Sequence, residues 1–240
     1  MTAIILLGPP GAGKGTQAVR IAERLGIPAI STGEIFRENI SEGTELGKRA
    51  QAYMDRGEFV PDSVTNPMVR ARLAAPDAAG GFLLDGYPRT LDQAHVLRDV
   101  VADLGIPLDL VLEIEVDEDE VVSRMLKRAE EQHRADDTEP VMRHRLEVYH
   151  AQTEPMATYY ADQDLLEVVD GRGTIDEVTG RIHTLLDAIT EAVDADARAA
   201  AEDSDEASSE ADDIARDEWA EAHPEGEGEC CGVEPDPQED

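Results

Sequence analysis

The sequence predicts an α/β fold: a doubly wound, parallel sheet of five strands with helices on both faces. Short apolar runs alternate with longer amphipathic stretches along residues 1–191 of the 240. Several of these runs are apolar at nearly every position, which suits strands covered on both faces by helices. The first run also passes through a glycine-rich turn directly into a helical pattern, as β-turn-α units of parallel sheets do.

Taken in order, the strand candidates are Ala3–Leu7, Pro28–Ser31, Gly81–Leu84, Leu110–Ile114 and Leu165–Val169. Helical periodicity marks Lys14–Leu25, Gly33–Asn39, Leu46–Met54, Asp62–Leu73, Leu91–Leu104, Glu118–Arg128, Val141–Tyr160 and Ile175–Val193. Thr174 with Glu177 three residues on is a capping-box signal for the last of these. No internal repeat interrupts the alternation.

From Ala192 onward the apolar period fades into a stretch rich in Ala, Asp, Glu, Ser, Gly and Pro, with a single aromatic, Trp219. Such a segment buries too little surface to offset its ordering entropy, so 192–240 is expected to be a disordered acidic tail. Its two cysteines, Cys230 and Cys231, are adjacent. Neighbouring Cα atoms stand about 3.8 Å apart, below the usual disulfide range of about 4.4–6.8 Å, so a bridge between them would be strained. No four-ligand zinc spacing occurs in the chain. The N-terminus has neither a basic region nor a small-residue cleavage site, and no apolar run approaches the roughly 18 residues of a membrane span. A cytoplasmic protein is expected.

The residues between the first strand and its helix are Gly8-Pro9-Pro10-Gly11-Ala12-Gly13-Lys14-Gly15-Thr16. Glycines allow the backbone N–H groups to approach phosphate oxygens closely, and the following helix turns its positive end toward the same anion. Lys14 is placed to reach the β- and γ-phosphates of a nucleotide. The strict pattern has Ser or Thr directly after the lysine; here Gly15 stands there and Thr16 follows, leaving Thr16 as the available hydroxyl for a metal. No Asn-Lys-x-Asp guanine motif is present.

The third strand ends in Asp85-Gly86-Tyr87-Pro88-Arg89-Thr90. An acid at the carboxyl end of such a strand lies in the crevice where open α/β sheets bind ligands. There Asp85 is suited to orient Mg²⁺ through water, since Mg²⁺ keeps several of its waters.

These two segments together resemble the adenylate kinases, a branch of the nucleoside monophosphate kinases. The loop shares the family's Gly-Lys-Gly-Thr form, and the second run matches Asp-Gly-Phe-Pro-Arg-Thr with Tyr87 in place of phenylalanine. The resemblance covers almost all of residues 1–191. It implies reversible Mg²⁺-dependent phosphoryl transfer from ATP to AMP, on a monomer with a helical monophosphate-binding segment (about 31–60) and a lid (about 128–145). ATP is then held by Gly11, Ala12, Gly13, Lys14, Gly15, Thr16, Arg124, Arg128 and Gly173. AMP falls to Thr32, Arg37, Glu58, Phe59, Val60, Gly86, Tyr87, Pro88, Arg89 and Gln93, with Gln93 against the adenine edge. Arg134 and Arg145 clamp phosphates at the transfer point and, with Lys14, Arg89 and Arg124, form the catalytic set. Thr32, taken alone, also reads as a helix N-cap.

The lid is short: five residues separate Arg128 from Arg134. It has no room for the zinc-binding insertion of long-lid relatives, and no structural zinc is expected. The acceptor is already an anionic phosphate oxygen and needs no strong general base, so the six histidines are read as non-catalytic. Two other readings of the same residues are a UMP/CMP kinase, and a nucleotide sensor without catalysis that signals through its tail.

The formal net charge is −33, with 21 basic and 54 acidic residues. The tail from Ala192 carries 19 acidic and 2 basic residues, so the body is strongly acidic as well. Such a surface repels nucleic acid and anionic membranes, and neither is an expected partner. The excess serves solubility, or suits high salt, where the screening length falls to about 3 Å and self-repulsion is muted. On the second reading, which the composition favours, stability against urea holds or rises as KCl goes from low to molar concentration. Destabilisation by added KCl would refute it.

Overall fold

Thr2–Leu7 (β1), Ala29–Ser31 (β2), Gly81–Asp85 (β3), Leu110–Glu115 (β4) and Leu166–Asp170 (β5) form one sheet. Its order is β2-β3-β1-β4-β5, and every neighbouring pair is parallel. The computed structural model describes residues 2–132, 138–192 and 195. Two units are distinguished, Met1–Leu185 and Leu186–Asp240, and the sheet belongs to the first.

The central strands owe their position to composition. All residues of β1 after Thr2 are buried, as are Gly81–Leu84 of β3. Ala3, Ile5 and Leu7 share one core with Phe82, Leu84 and Val111. By the two-residue repeat of a strand, Ile4, Leu6 and Leu83 face the opposite side. A strand buried on both faces is pinned in register, because a one-residue slip would move every side chain into the wrong layer. β5 is an edge strand, and its Glu167 and Val168 are exposed.

The helices are Lys14–Leu25 (α1), Thr32–Glu42 (α2), Glu45–Met54 (α3), Asp62–Leu73 (α4), Leu91–Leu104 (α5), Glu118–Gln132 (α6), Glu139–Val148 (α7) and Pro155–Ala161 (α8). Residues 175–185 of the first unit are also helical (α9). Among the described residues, no helix is long and apolar enough to cross a membrane. The expected capping box opens α9: the Thr174 amide donates to Glu177 Oε2 at 2.8 Å, and the Glu177 amide donates to Thr174 Oγ1 at 3.3 Å.

The structure departs from the periodicity in one helix. Val141–Tyr160 is not continuous. α7 gives way to a π-helical turn, Tyr149–Thr153, in which the Glu154 amide donates to Tyr149 O at 3.0 Å, five residues back. α8 then begins at Pro155. Proline has no N–H to continue the i→i−4 ladder, and Pro155 stands at the first position of α8, where that N–H is not needed. The apolar spacing hides this, because buried residues stand on both sides of the break, Met142 and Leu146 before it and Met156 and Tyr160 after it.

α2 and α3 form a hairpin with a small core of its own, Phe36 and Ala50 packing with Val60 and Val64. Their close approach rests on Gly47, where a Cβ would stand 2.1 Å from Asn39 O. Gly47→Ala is expected to lower stability by about 1–3 kcal/mol through forced separation of the two helices, measured by urea denaturation.

The helix in the second unit includes 186–192, where Thr190 Oγ1 donates to Leu186 O at 2.9 Å. The tail residues 193–194 and 196–240, with Trp219, Cys230 and Cys231, lie outside the described residues.

Candidate active site

β1 delivers the chain at Leu7 into the glycine-rich loop, and α1 begins at Lys14. The turn is made by Gly13, which caps α1 at φ 96°, a conformation that side chains with a Cβ rarely adopt. Lys14 folds over the loop, its Nζ donating to Gly8 O at 2.6 Å and Pro9 O at 2.8 Å. Thr16 and Gly15 are exposed at the mouth.

β1 pairs with β3 so that Leu6 stands opposite Asp85. β2 pairs with β3 so that Ser31 stands opposite Asp85 on the other side. Three strand ends therefore meet at one carboxylate. Ser31 Oγ donates to Asp85 Oδ2 at 3.3 Å, and a Cβ on Gly15 would lie 3.7 Å from the same oxygen. Ser31 is also the N-cap of α2, accepting from the Glu34 amide. Thr32 follows it as the first helical residue, so the N-cap reading of Thr32 is corrected by one position. Its hydroxyl instead donates to Gly86 O at 2.8 Å.

Gly86 O also accepts from Arg89 Nε at 2.7 Å. The guanidinium of Arg89 lies over the Phe59 ring, 4.9 Å from its centroid. Burial pushes the Arg89 pKa down to about 10; Asp85 opposes the shift, and Arg145 and Arg37 add to it. Arg89 stays charged at neutral pH, within a group of three guanidiniums around one carboxylate. An additional anion placed among them relieves their mutual repulsion.

Both ends open into one cavity of about 700 Å³. Gly11, Ala12, Gly13, Lys14, Gly15, Thr16, Arg124 and Gly173 line it from the loop side. Thr32, Arg37, Glu58, Phe59, Val60, Gly86, Pro88, Arg89, Gln93 and Arg145 line it from the other, with Asp85 among them. Arg124 is anchored by Glu120 and donates through Nη2 to Gly171 O at 2.9 Å. It thereby ties α6 to the loop after β5. Gln93 is 2 % exposed; its Nε2 donates to Asp62 Oδ1 at 2.6 Å and its Oε1 accepts from the Arg89 amide at 2.8 Å.

Tyr87 does not join the cavity. Its ring is 1 % exposed in the core, with the hydroxyl donating to Asn66 Oδ1 at 3.0 Å, and burial raises its pKa. Tyr87 lies past the end of β3, after Gly86 at φ 77°, so the two-residue repeat of the strand no longer sets which way its side chain points. Arg134 lies outside the described residues, and of Arg128 only its place in α6 is described.

Two lining residues were not legible as functional. Tyr149 and Thr153 of the π turn both face the cavity. Thr153 Oγ1 donates to Arg89 O at 2.9 Å, and Tyr149 donates its hydroxyl to Glu113 Oε1 at 3.3 Å. Burial raises the Glu113 pKa. In the sequence this pair looks like one apolar helical face; the signal was Pro155, which disturbs the helix at that place. His150, between them in the chain, faces away and bridges Glu154 and Glu118, which raise its pKa.

The residues at the strand ends fit Mg²⁺: a lone carboxylate beside a phosphate loop, with the Thr16 hydroxyl nearby, suits a cation that leans on substrate phosphates and keeps its waters.

A family model described as adenylate kinase matches residues 6–165. A protein of Thermobifida fusca (strain YX) named adenylate kinase is 58% identical over 183 residues, 76% of this chain and 97% of the relative. One of Kocuria rhizophila with the same name is 58% identical over 187 residues, 78% of this chain and all of the relative. One of Nocardioides sp., again so named, is 56% identical over 188 residues, 78% of this chain and 98% of the relative. A match this long to the family's model, joined to relatives covered almost end to end, shows that the chain belongs to the adenylate kinase family.

Proposed function

We propose that the chain transfers the terminal phosphoryl group of ATP to AMP, reversibly, giving two ADP. The observation that carries this reading is a single cavity with a phosphate loop at one end and Arg37, Arg89 and Arg145 at the other. ATP lies with its phosphates on the loop, Lys14 moving from the loop carbonyls to the β- and γ-oxygens. AMP lies opposite, its phosphate held by Arg37 and Arg89 and its base toward Val60 and Gln93. An α-phosphate oxygen of AMP attacks the γ-phosphorus while the bond to the β,γ-bridging oxygen breaks, so ADP forms on both sides. The attacking oxygen is already anionic and the bridging oxygen leaves with the electron pair of the broken bond as an anion, so the protein's work is positioning and charge stabilisation. Asp85 and Thr16 would hold Mg²⁺, which offsets charge on the phosphates when bound.

Arg124 and Arg128 act on ATP, Arg134 and Arg145 at the transfer point, and the Gly173 backbone on the ATP base. The kinase domain spans 1–191, with the monophosphate segment at about 31–60 and a short lid at about 128–145; 192–240 is an acidic tail. The near-complete coverage of relatives by some three quarters of this chain supports that division. A cytoplasmic monomer accords with the family, as does the absence of nucleic acid and membrane from its partners.

A coupled assay with AMP, UMP, CMP and GMP tests the reading, with AMP strongly preferred; preference for UMP or CMP would replace it by the pyrimidine kinase. Arg89→Ala lowers turnover more than about 100-fold, about 2.7 kcal/mol; near-normal turnover removes Arg89 from the transfer site. Thr153→Val, which loses the hydroxyl held against Arg89 O, lowers kcat about tenfold with a smaller effect on the KM for ATP. Steady-state kinetics on the purified variant checks it.

A further inference from the structure

We propose that Asp62 is a positioning residue that sets which purine the acceptor end takes: it fixes the Gln93 amide to read a 6-amino base and refuse a 6-oxo base. The inference rests on the reading above, in which Gln93 faces the base of the acceptor nucleotide.

A glutamine amide is ambiguous by itself. Its two ends are nearly the same shape, and a half-turn exchanges donor for acceptor. Adenine presents a donor at its 6-amino group and an acceptor at N1. Hypoxanthine and guanine present an acceptor at O6 and a donor at N1. One amide orientation therefore complements AMP, and the flipped orientation complements IMP or GMP equally well. A free glutamine would discriminate poorly between them.

Gln93 is not free. Its Nε2 donates to the Asp62 carboxylate at 2.6 Å and its Oε1 accepts from the Arg89 amide at 2.8 Å. Flipping the amide would set its oxygen against a carboxylate and its NH₂ against an N–H, two mismatches at once in a residue 2 % exposed. After these two bonds, one N–H and one oxygen lone pair remain for a ligand. In the fixed orientation they supply the N–H for N1 and the acceptor for the 6-amino group. Gln93 lines the cavity, and Asp62, at the start of α4, stands behind it. The Gln93 backbone is held too: its amide donates to Thr90 Oγ1, and its carbonyl accepts weakly from Tyr87.

A carboxylate is the side chain that fixes this amide, because it only accepts. Asparagine at 62 can present either end, and one of the two mismatches disappears.

The test is kcat/KM for AMP, IMP and GMP in the full chain and in Asp62→Asn, Asp62→Glu and Gln93→Ala, with thermal unfolding as the folding control. Asp62→Asn is expected to lower the AMP-to-IMP ratio about tenfold or more, while kcat with AMP changes little. Asp62→Glu, which keeps an acceptor, retains most of the discrimination. Should Asp62→Asn fail to fold, Asp62→Ser, which keeps a helix-start residue and lacks the charged acceptor, carries the same comparison. An unchanged AMP-to-IMP ratio, with Gln93→Ala weakening AMP, overturns the role of Asp62 and leaves the base-reading role of Gln93 standing. An AMP KM untouched by Gln93→Ala removes that reading and the inference with it.

Discussion

The parallel pairing of β1 with β3 is the constraint on which the site depends. Because Leu6 lies opposite Asp85, the chain leaves both strands at the same height and on the same edge of the sheet. One exit becomes the phosphate loop and the other becomes the Asp85–Arg89 turn. β2 ends level with them, Ser31 opposite Asp85, so α2 starts from the same place. None of these loops has enough apolar surface to fix itself. The first two inherit their positions from β1 and β3, whose side chains are buried in both layers, where a slip in register is forbidden by packing, and β2 takes its level from its pairing with β3.

Within that frame the electrostatics run against the rest of the molecule. The chain has a formal charge of −33, yet the cavity gathers Arg37, Arg89, Arg124, Arg145 and Lys14. Bringing guanidiniums together and out of water is unfavourable, and the lowered pKa of Arg89 registers it. The arrangement is tolerated in part through local acceptors: Gly86 O for Arg89, Glu120 and Gly171 O for Arg124, Gly8 O and Pro9 O for Lys14. These acceptors are mostly backbone carbonyls, neutral groups that phosphate oxygens can displace. The acidic exterior repels anions at long range, so their capture falls to this short-range cluster, and added salt weakens the exterior repulsion more than the buried contacts.

Much of this was legible from the residues. The fold followed from apolar runs set between amphipathic stretches, and α1, α4 and α5 have the bounds their periodicity predicts. The phosphate loop and Asp85–Arg89 were legible because special backbone geometry needs particular residues, and those residues are sparse enough to stand out. What the sequence hid has a physical reason in each case. Tyr87 sits in a motif whose neighbours face the cavity, but it lies in an irregular turn after β3 whose side-chain directions no periodic pattern gives, and its ring packs into the core. Thr153 reaches Arg89 through a π turn, whose extra residue shifts the helix face by an amount that no 3.6-residue pattern contains. Asp62 opens a helix, a common place for an acid, and its pairing with Gln93 across 31 positions is visible only in three dimensions.

Thr153, Asp62 and Glu120 share a property. Each hydrogen-bonds a residue that lines the cavity: Thr153 holds Arg89 O, Asp62 holds Gln93 and Glu120 holds Arg124. In a reaction whose nucleophile is already charged, there is little proton transfer for the protein to perform, and rate depends on where charges and donors are held. An arginine or glutamine has several rotatable bonds, and a glutamine has an ambiguous end as well. Side chains that remove those freedoms beforehand lower the entropy lost when the nucleotide binds. On the proposed reading, the residues lining the cavity bind phosphates and a base, and the layer behind them sets which base and in what geometry, so selectivity and turnover depend on hydrogen bonds that no substrate atom makes.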